Sequence, residues 1–395
     1  MCKKLILVSV FLLGFEAGAA STGKEPQPAP TSIVDLAALG YGKAKPVYRS
    51  NKEIFRDLTL LMQDDHSRLS FVSANTLAVY FTSPSHQMEV FFLDLDSGKL
   101  IEHRTWKTFK RQWFNDSYDT EGRVMAVHAG FLVQASGKLE LYSPDLRLVS
   151  SYDPCADGSG CTGMWSVAVA PGGDTIHVQP AAETNQVRQG SVSYFTGTGE
   201  AEGSWLRSSS FQRIGSQLYS KGPDSISNDA IVTKRVHCLD LQRIGEPSRH
   251  LSCSKPAADG LPMFLNDREI LSVHRAGFSV LSTQGTEVWT VGASDPGIRR
   301  TLFVGSHQRS MDGSRFAISL TAYKKKVEFD GMPIARSPLD TIVVYDETCR
   351  QRVFGVTTPE EPADSAFALS PDGRTLAVLA GMAISIYKLP DANCR

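Results

Sequence analysis

Asp372-Gly373-Arg374-Thr375-Leu376-Ala377-Val378 is a polar turn running into an apolar stretch, and Ile384-Ser385-Ile386-Tyr387-Lys388 follows after a short gap. An Asp-Gly pair tolerates the positive φ that a tight hairpin needs. The first stretch reads as a strand buried on both faces, and the second alternates as a strand nearer a rim does. The pair decides the fold because both halves recur. The pattern apolar, any, apolar, apolar, usually followed by a polar residue, also occurs at Val90-Phe91-Phe92-Leu93-Asp94, Leu139-Glu140-Leu141-Tyr142-Ser143, Val192-Ser193-Tyr194-Phe195-Thr196, Val236-His237-Cys238-Leu239-Asp240, Phe278-Ser279-Val280-Leu281-Ser282 and Ile342-Val343-Val344-Tyr345-Asp346. From Leu93 to Tyr387 there are 294 residues in six intervals, a mean of 49. Blade-type repeats run at roughly 40 to 50 residues.

The turn-plus-strand half ends at Val79, Val127, Val178, Val273, Ile318 and Val378, at spacings of 48, 51, 95, 45 and 60. The spacing of 95 places one degraded copy, near Gly222-Pro223-Asp224. The spacing of 60 places an insertion over 322–339, which holds Lys324, Lys325 and Lys326. Each unit is a meander that cannot cover both of its faces alone. Stacking units in a closed ring buries them and removes the open edges. The predicted fold is therefore all-β: a seven-bladed β-propeller of four-stranded antiparallel blades. The last unit supplies only three strands, so an N-terminal strand must complete it, and it is expected within 46–62. The domain reading is a signal peptide over 1–20, a Pro/Ala-rich linker over 21–45 (with a short helical turn over 33–39) and the propeller over 46–395.

Ser370-Pro371-Asp372-Gly373 resembles the turn of bacterial WD40-like, YVTN and TolB-type propellers. Ser310-Met311-Asp312-Gly313 and Ala170-Pro171-Gly172-Gly173 look like worn versions of it. Leu93-Asp94, Leu239-Asp240 and Tyr345-Asp346 stand where WD40 blades carry Trp-Asp. The likeness covers about 46–395 and is to a superfold rather than one family. A protein- or ligand-binding scaffold is the leading expectation, resting on the complete repeat, the lack of a catalytic constellation and the Arg and aromatic residues expected at the channel mouth. Exported propellers of similar kind also include lactonases and quinoprotein dehydrogenase subunits, so an enzyme with its site at the central channel is the alternative. A structural partner in an envelope complex is a third reading.

The chain's start points to export. Lys3 and Lys4 precede an apolar run over 5–15, and Ala17-Gly18-Ala19 suits a cleavage site. Such a run is too short to span a bilayer permanently. No other stretch reads as a transmembrane helix, so a periplasmic or extracellular protein that does not span the membrane is expected. The formal net charge of −1 and the lack of a broad basic face argue against nucleic acid as a partner. A protein or a small ligand is the expected partner, and the chain is expected to be monomeric.

Seven cysteines less Cys2 leave six. Sequence proximity pairs Cys155 with Cys161, Cys238 with Cys253 and Cys349 with Cys394, one of fifteen connectivities. Ring geometry adds that Cys349 and Cys394 fall on the same face of adjacent blades. A zinc reading is weaker because no CxxC knuckle is present.

No catalytic motif is recognisable and no cofactor is expected. Asp64-Asp65-His66 reads as a polar connection. His128 and His274 follow Val127 and Val273, which suggests equivalent places in blades two and five, yet those blades lie too far apart to share one ion. Aromatic and basic residues gather just before the expected innermost strands: Arg111, Trp113, Trp165, Phe211, Arg213, Phe264, Arg299, Arg300 and Phe303. Arginine and aromatics are favoured binding anchors. Arg111, Trp113, Trp165, Arg213, Arg299 and Arg300 are thus the candidate channel-mouth residues, against the plainer reading of packing between blades. Lys324 to Lys326 with Arg336 make a basic flap, read as solvated by default and as an anion contact otherwise.

Overall fold

The computed structural model describes residues 27–39, 69–83, 87–107, 109–113, 116–120, 122–135, 137–153, 165–180, 201–219, 224–235, 238–253, 260–274, 277–292, 303–322, 325–329, 332–336, 339–358 and 366–394. Seven four-stranded antiparallel sheets form the blades of a propeller. Blade one is β2 (Leu69–Phe71), β3 (Thr76–Ser83), β4 (Gln87–Asp94) and β5 (Lys99–Lys107). A separate hairpin follows, β6 (Phe109–Trp113) with β7 (Asp116–Thr120). Blade two is β8 (Arg123–Val127), β9 (Gly130–Ala135), β10 (Lys138–Tyr142) and β11 (Leu148–Tyr152). Blade three is β12 (Trp165–Val169), β13 (Thr175–Pro180), β14 (Ala201–Arg207) and β15 (Gln212–Tyr219). Blade four is β16 (Ser225–Ile226), β17 (Ala230–Lys234), β18 (Leu239–Arg243) and β19 (Arg249–Ser252). Blade five is β20 (Leu261–Phe264), β21 (Glu269–His274), β22 (Gly277–Ser282) and β23 (Glu287–Val291).

Blade six is β24 (Phe303–Arg309), β25 (Arg315–Ala322), β28 (Leu339–Asp346) and β29 (Gln351–Thr357), with the hairpin β26 (Lys325–Phe329) and β27 (Met332–Arg336) inserted between its second and third strands. Blade seven is β30 (Ala366–Leu369), β31 (Thr375–Ala380) and β32 (Ala383–Lys388), completed by β1 (Ser32–Asp35), which pairs Ser32 with Ile386 and Asp35 with Ala383.

The ring is closed by an N-terminal strand as expected, but from 32–35 and not from 46–62. Residues 40–68 lie outside the described ones, and the helical turn expected over 33–39 is a strand and a turn. Three repeat assignments shift as well. The run 121–127 ends in β8, the innermost strand of blade two, and the second strand is β9, entered through Gly130. The Gly130 backbone has φ 139°, and a Cβ there would stand 2.1 Å from the Tyr142 carbonyl, so a glycine alone does the work of an Asp-Gly turn. In blade three the third strand is β14. Val192 to Thr196 lie outside the described residues. In blade four the third strand starts at Leu239, three residues later than the copy beginning at Val236. The degraded turn is Ser227-Asn228-Asp229, just after the place expected.

The core lies between blades. Seven buried clusters occupy the seven junctions, one to each. Alternation along a strand produces this, because neighbouring side chains point to opposite faces of the sheet. In β28, Val343 and Tyr345 pack toward blade five, while Ile342 and Val344 pack toward blade seven. The third strand is buried on both faces for that reason, and outermost strands such as β5 stay largely exposed. Among the described residues, the smallest of these clusters is the one between blades three and four. It rests on Ala170, Ile226, Ile231 and the fully buried Trp205.

Candidate functional site

An antiparallel meander sends its 1–2 and 3–4 connections to one end of the strands and all others to the opposite end. Here the two ends differ sharply. At the first, no connection exceeds five residues, as at 170–174, 310–314 and 370–374. The other end carries the stretch 181–200, the ten-residue stretch 293–302 and both extra hairpins, β6–β7 and β26–β27.

The short turns share a local device. In blade seven Ser370 Oγ donates to Asp372 Oδ1 at 2.6 Å and accepts the Thr375 N–H at 2.8 Å. Blade six repeats it with Ser310, Asp312 and Arg315. Gly373 and Gly313 hold φ of 66° and 71° in these turns. Ser227 performs the same task in blade four, accepting the Ala230 N–H at 3.1 Å in a turn two residues shorter and without glycine. The serine–aspartate couple satisfies backbone groups that no ladder reaches.

These turns also fasten to one another. His128 N–H donates to the Gly173 carbonyl at 3.0 Å, joining blades two and three, and Met311 N–H donates to the Pro371 carbonyl at 2.9 Å, joining six and seven. Gly172 N–H donates to the Met311 carbonyl at 3.0 Å. Blades three and six are not neighbours, so this contact crosses the ring. Beside it, the Arg309 guanidinium donates to the Val169 carbonyl at 3.0 Å. Burial pushes Arg309 down to about 10, against the opposing charge of Asp267. Between blades five and six, Asn266 Nδ2 donates to Glu347 Oε1 at 3.1 Å. Burial, then the hydrogen bond and charge of Glu269, push the Glu347 carboxyl up to about 8.

The candidate residues divide between the two ends. Arg111 and Trp113 lie on β6, and Trp165 opens the innermost strand β12, all at the long-connection end. Arg299 and Arg300 lie outside the described residues. Arg213 does not join them: it is exposed on β15, the outermost strand of blade three, just past a short turn. Phe264, buried at the end of β20, packs between blades four and five. His128 and His274 are not equivalent. His128 lies in the 1–2 turn of blade two, whereas His274 ends the second strand of blade five, at the opposite end.

Arg309 escaped the sequence reading. Aligning the turns puts it where the other blades carry Leu369, Val169, Phe264 and Ile226, so a charge in a column of apolar residues was the available signal. Cys238–Cys253 and Cys349–Cys394 are bonded as paired by proximity. Cys155 and Cys161 lie outside the described residues. Cys349 falls in the 3–4 turn of blade six, so its bond to Cys394 pins the C-terminal tail at the short-turn end.

No protein-family model matches the chain, and no curated protein does. Among solved structures, it is similar to a chain of the "Crystal Structure of Mitotic Checkpoint Complex", with 11% identity and a TM-score of 0.48 over 98% of this chain and 100% of that one. "KlHsv2 with loop 6CD replaced by a Gly-Ser linker" has 12% identity and a TM-score of 0.39, covering 68% and 78%. A protein of unknown function from Bacteroides caccae also has 12% identity and a TM-score of 0.39, covering 72% and 94%. These likenesses carry no activity or partner across to this chain.

Proposed function

We propose that the protein is a binding scaffold that receives its partner on the long-connection end of the ring. One observation carries this reading. The short-turn end is fastened across the ring, through Gly172 and Met311, while every long connection and both extra hairpins leave from the other end. Binding residues are found disproportionately on connections held by a rigid frame. Arg111, Trp113 and Trp165 belong to that end and are the anchors proposed for it, with Arg299 and Arg300 joining them. The partner is a protein or a small ligand. The protein is proposed to be exported, in line with the two bonded cysteine pairs among the described residues. Among the described residues no helix is long and apolar enough to cross a membrane. The Ser-Pro-Asp-Gly turn supports the likeness to bacterial WD40-like and YVTN propellers.

Photo-crosslinking side chains at Arg111, Trp113 and Arg213 test the reading in a native envelope fraction. Adducts are expected at Arg111 and Trp113 and not at Arg213. Adducts at Arg213 alone would reverse the assignment. Substrate turnover lost on changing Trp113 or Trp165 would replace the scaffold by an enzyme.

A further inference from the structure

Blade four carries a cluster that the scaffold reading does not use. Leu239 pairs with Ser252 across the outer hairpin, so Cys238 and Cys253 stand just beyond that pair at the hairpin's open end. His250, on the outer strand, joins them. A donor atom from each of Cys238, His250 and Cys253 lies within 4.8 Å of the others.

The imidazole is already oriented. His250 Nδ1 donates to Asp240 Oδ1 at 2.7 Å, which leaves Nε2 as the ring nitrogen able to ligate. Asp240 is buried, and its second oxygen is held by Arg235 Nε. Histidines that bind metals commonly have their far nitrogen fixed by a carboxylate in this way. Arg235 N–H also donates to the Cys238 carbonyl at 2.7 Å, which fixes the backbone beside the first sulfur. Cys253 and His250 are exposed and Cys238 is half-buried, so solutes reach the cluster.

We propose that Cys238, Cys253 and His250 form a site for one divalent cation of the zinc class, opened when their disulfide is reduced. In the bonded state neither sulfur is a thiolate, and a disulfide sulfur is a poor ligand. A dithiol reductant opens the site: the S–S bond breaks, each cysteine gains one hydrogen, and the reductant leaves as its own disulfide. The cation then displaces the two thiol protons to solvent. Two thiolates and one neutral imidazole at about 2.3 and 2.0 Å satisfy three corners of a tetrahedron, and water takes the fourth. Donors in such a tetrahedron stand roughly 3.3 to 3.8 Å apart, so the bonded sulfurs must part and the imidazole, within 4.8 Å of them, must close on the ion. Hairpin and cation thereby exchange one cross-link for another, and the blade edge becomes a redox-dependent cation site.

The test uses the full chain, oxidised and reduced, in wild type, Cys238→Ser/Cys253→Ser and His250→Ala forms. Circular dichroism confirms folding of each. Zinc is measured by atomic emission after desalting, and cobalt(II) by its thiolate charge-transfer absorption. Reduced wild type is expected to hold one zinc more than reduced Cys238→Ser/Cys253→Ser, and oxidised wild type none at this site. His250→Ala, at an exposed position that leaves the strand ladder intact, should bind at least tenfold more weakly. Equal zinc in reduced wild type and Cys238→Ser/Cys253→Ser would overturn the proposal, as would a His250→Ala form that binds as tightly as wild type.

Discussion

Arg309, on the innermost strand of blade six, ends its side chain on the carbonyl of Val169 in blade three. One neutral acceptor and the charge of Asp267 are a meagre return for a half-buried guanidinium, whose charge burial disfavours. Leu369 occupies the equivalent place in blade seven. Arg309→Leu should therefore leave the unfolding free energy within about 1 kcal/mol of wild type or raise it. A urea titration decides the matter. A loss of several kcal/mol would show that the brace across the ring is structural.

Arg315 should behave oppositely. It is buried, its Nε faces Asp346 Oδ2 at 3.4 Å, and its other nitrogens donate to the Gly373 and Pro390 carbonyls at 3.0 and 2.7 Å. It thus ties two strands of blade six to blade seven and the tail. Removing it strands a buried carboxylate, so Arg315→Ala should cost about 3–5 kcal/mol in urea unfolding. Arg315→Met with Asp346→Leu should cost clearly less, because no lone charge remains.

Trp205 is fully buried between blades three and four, with His177 edge-on at 4.9 Å between ring centres. Trp205→Ala should cost about 3–5 kcal/mol. Burial lowers His177 from 6.5 to about 4. The unfolded chain therefore binds a proton that the folded one refuses. Stability from this group is full above pH 6.5 and drains as pH falls toward 4, by roughly 3 kcal/mol in all. His177→Leu should flatten that slope in thermal melts between pH 4 and 7.

Glu347 works in the other direction. Its folded carboxyl is raised from 4.5 to about 8, so the folded state holds a proton that the unfolded state has released. That stability is full below about pH 4.5 and is lost as pH rises toward 8. Glu347→Gln should remove this alkaline loss in melts between pH 5 and 9, leaving the acid slope of His177 in place.

Breaking the Cys349–Cys394 bond frees a loop with a sequence separation of 45. Cys349→Ser with Cys394→Ser should lower stability by about 4 kcal/mol on the chain-entropy argument. Limited proteolysis should then cut first beyond Leu389, where Gln351 Nε2 still holds the Asn393 carbonyl at 3.0 Å.

The ring was legible because burial on both faces imposes a short apolar code on third strands, and five of seven copies fall where that code puts them. Blade three misled because β14 reads Gly203-Ser204-Trp205-Leu206, with a glycine where the code wants its first apolar side chain. Blade four misled because Ser227 shapes a turn without the Asp-Gly pair. Register in blade two was lost because Gly130, a lone residue, makes its turn by conformation and not by composition. Of the candidate site, the arginines and aromatics at the long-connection end were visible as residue types. Arg213 was misassigned because a strand's place in its blade depends on counting turns correctly. Arg309 was invisible until the seven turns could be aligned by their hydrogen bonds.

The pairing of Ser32 with Ile386 has a consequence for synthesis. The two partners are 354 positions apart, so β1 leaves the ribosome long before β32 exists. Until then its backbone groups have no ladder, and an unpaired strand is open to wrong partners. Completion of the ring waits for β32 and fastens it to a strand made far earlier. A chain truncated before blade seven would keep its β1 edge unclaimed and should be the aggregating species in a stalled or proteolysed pool.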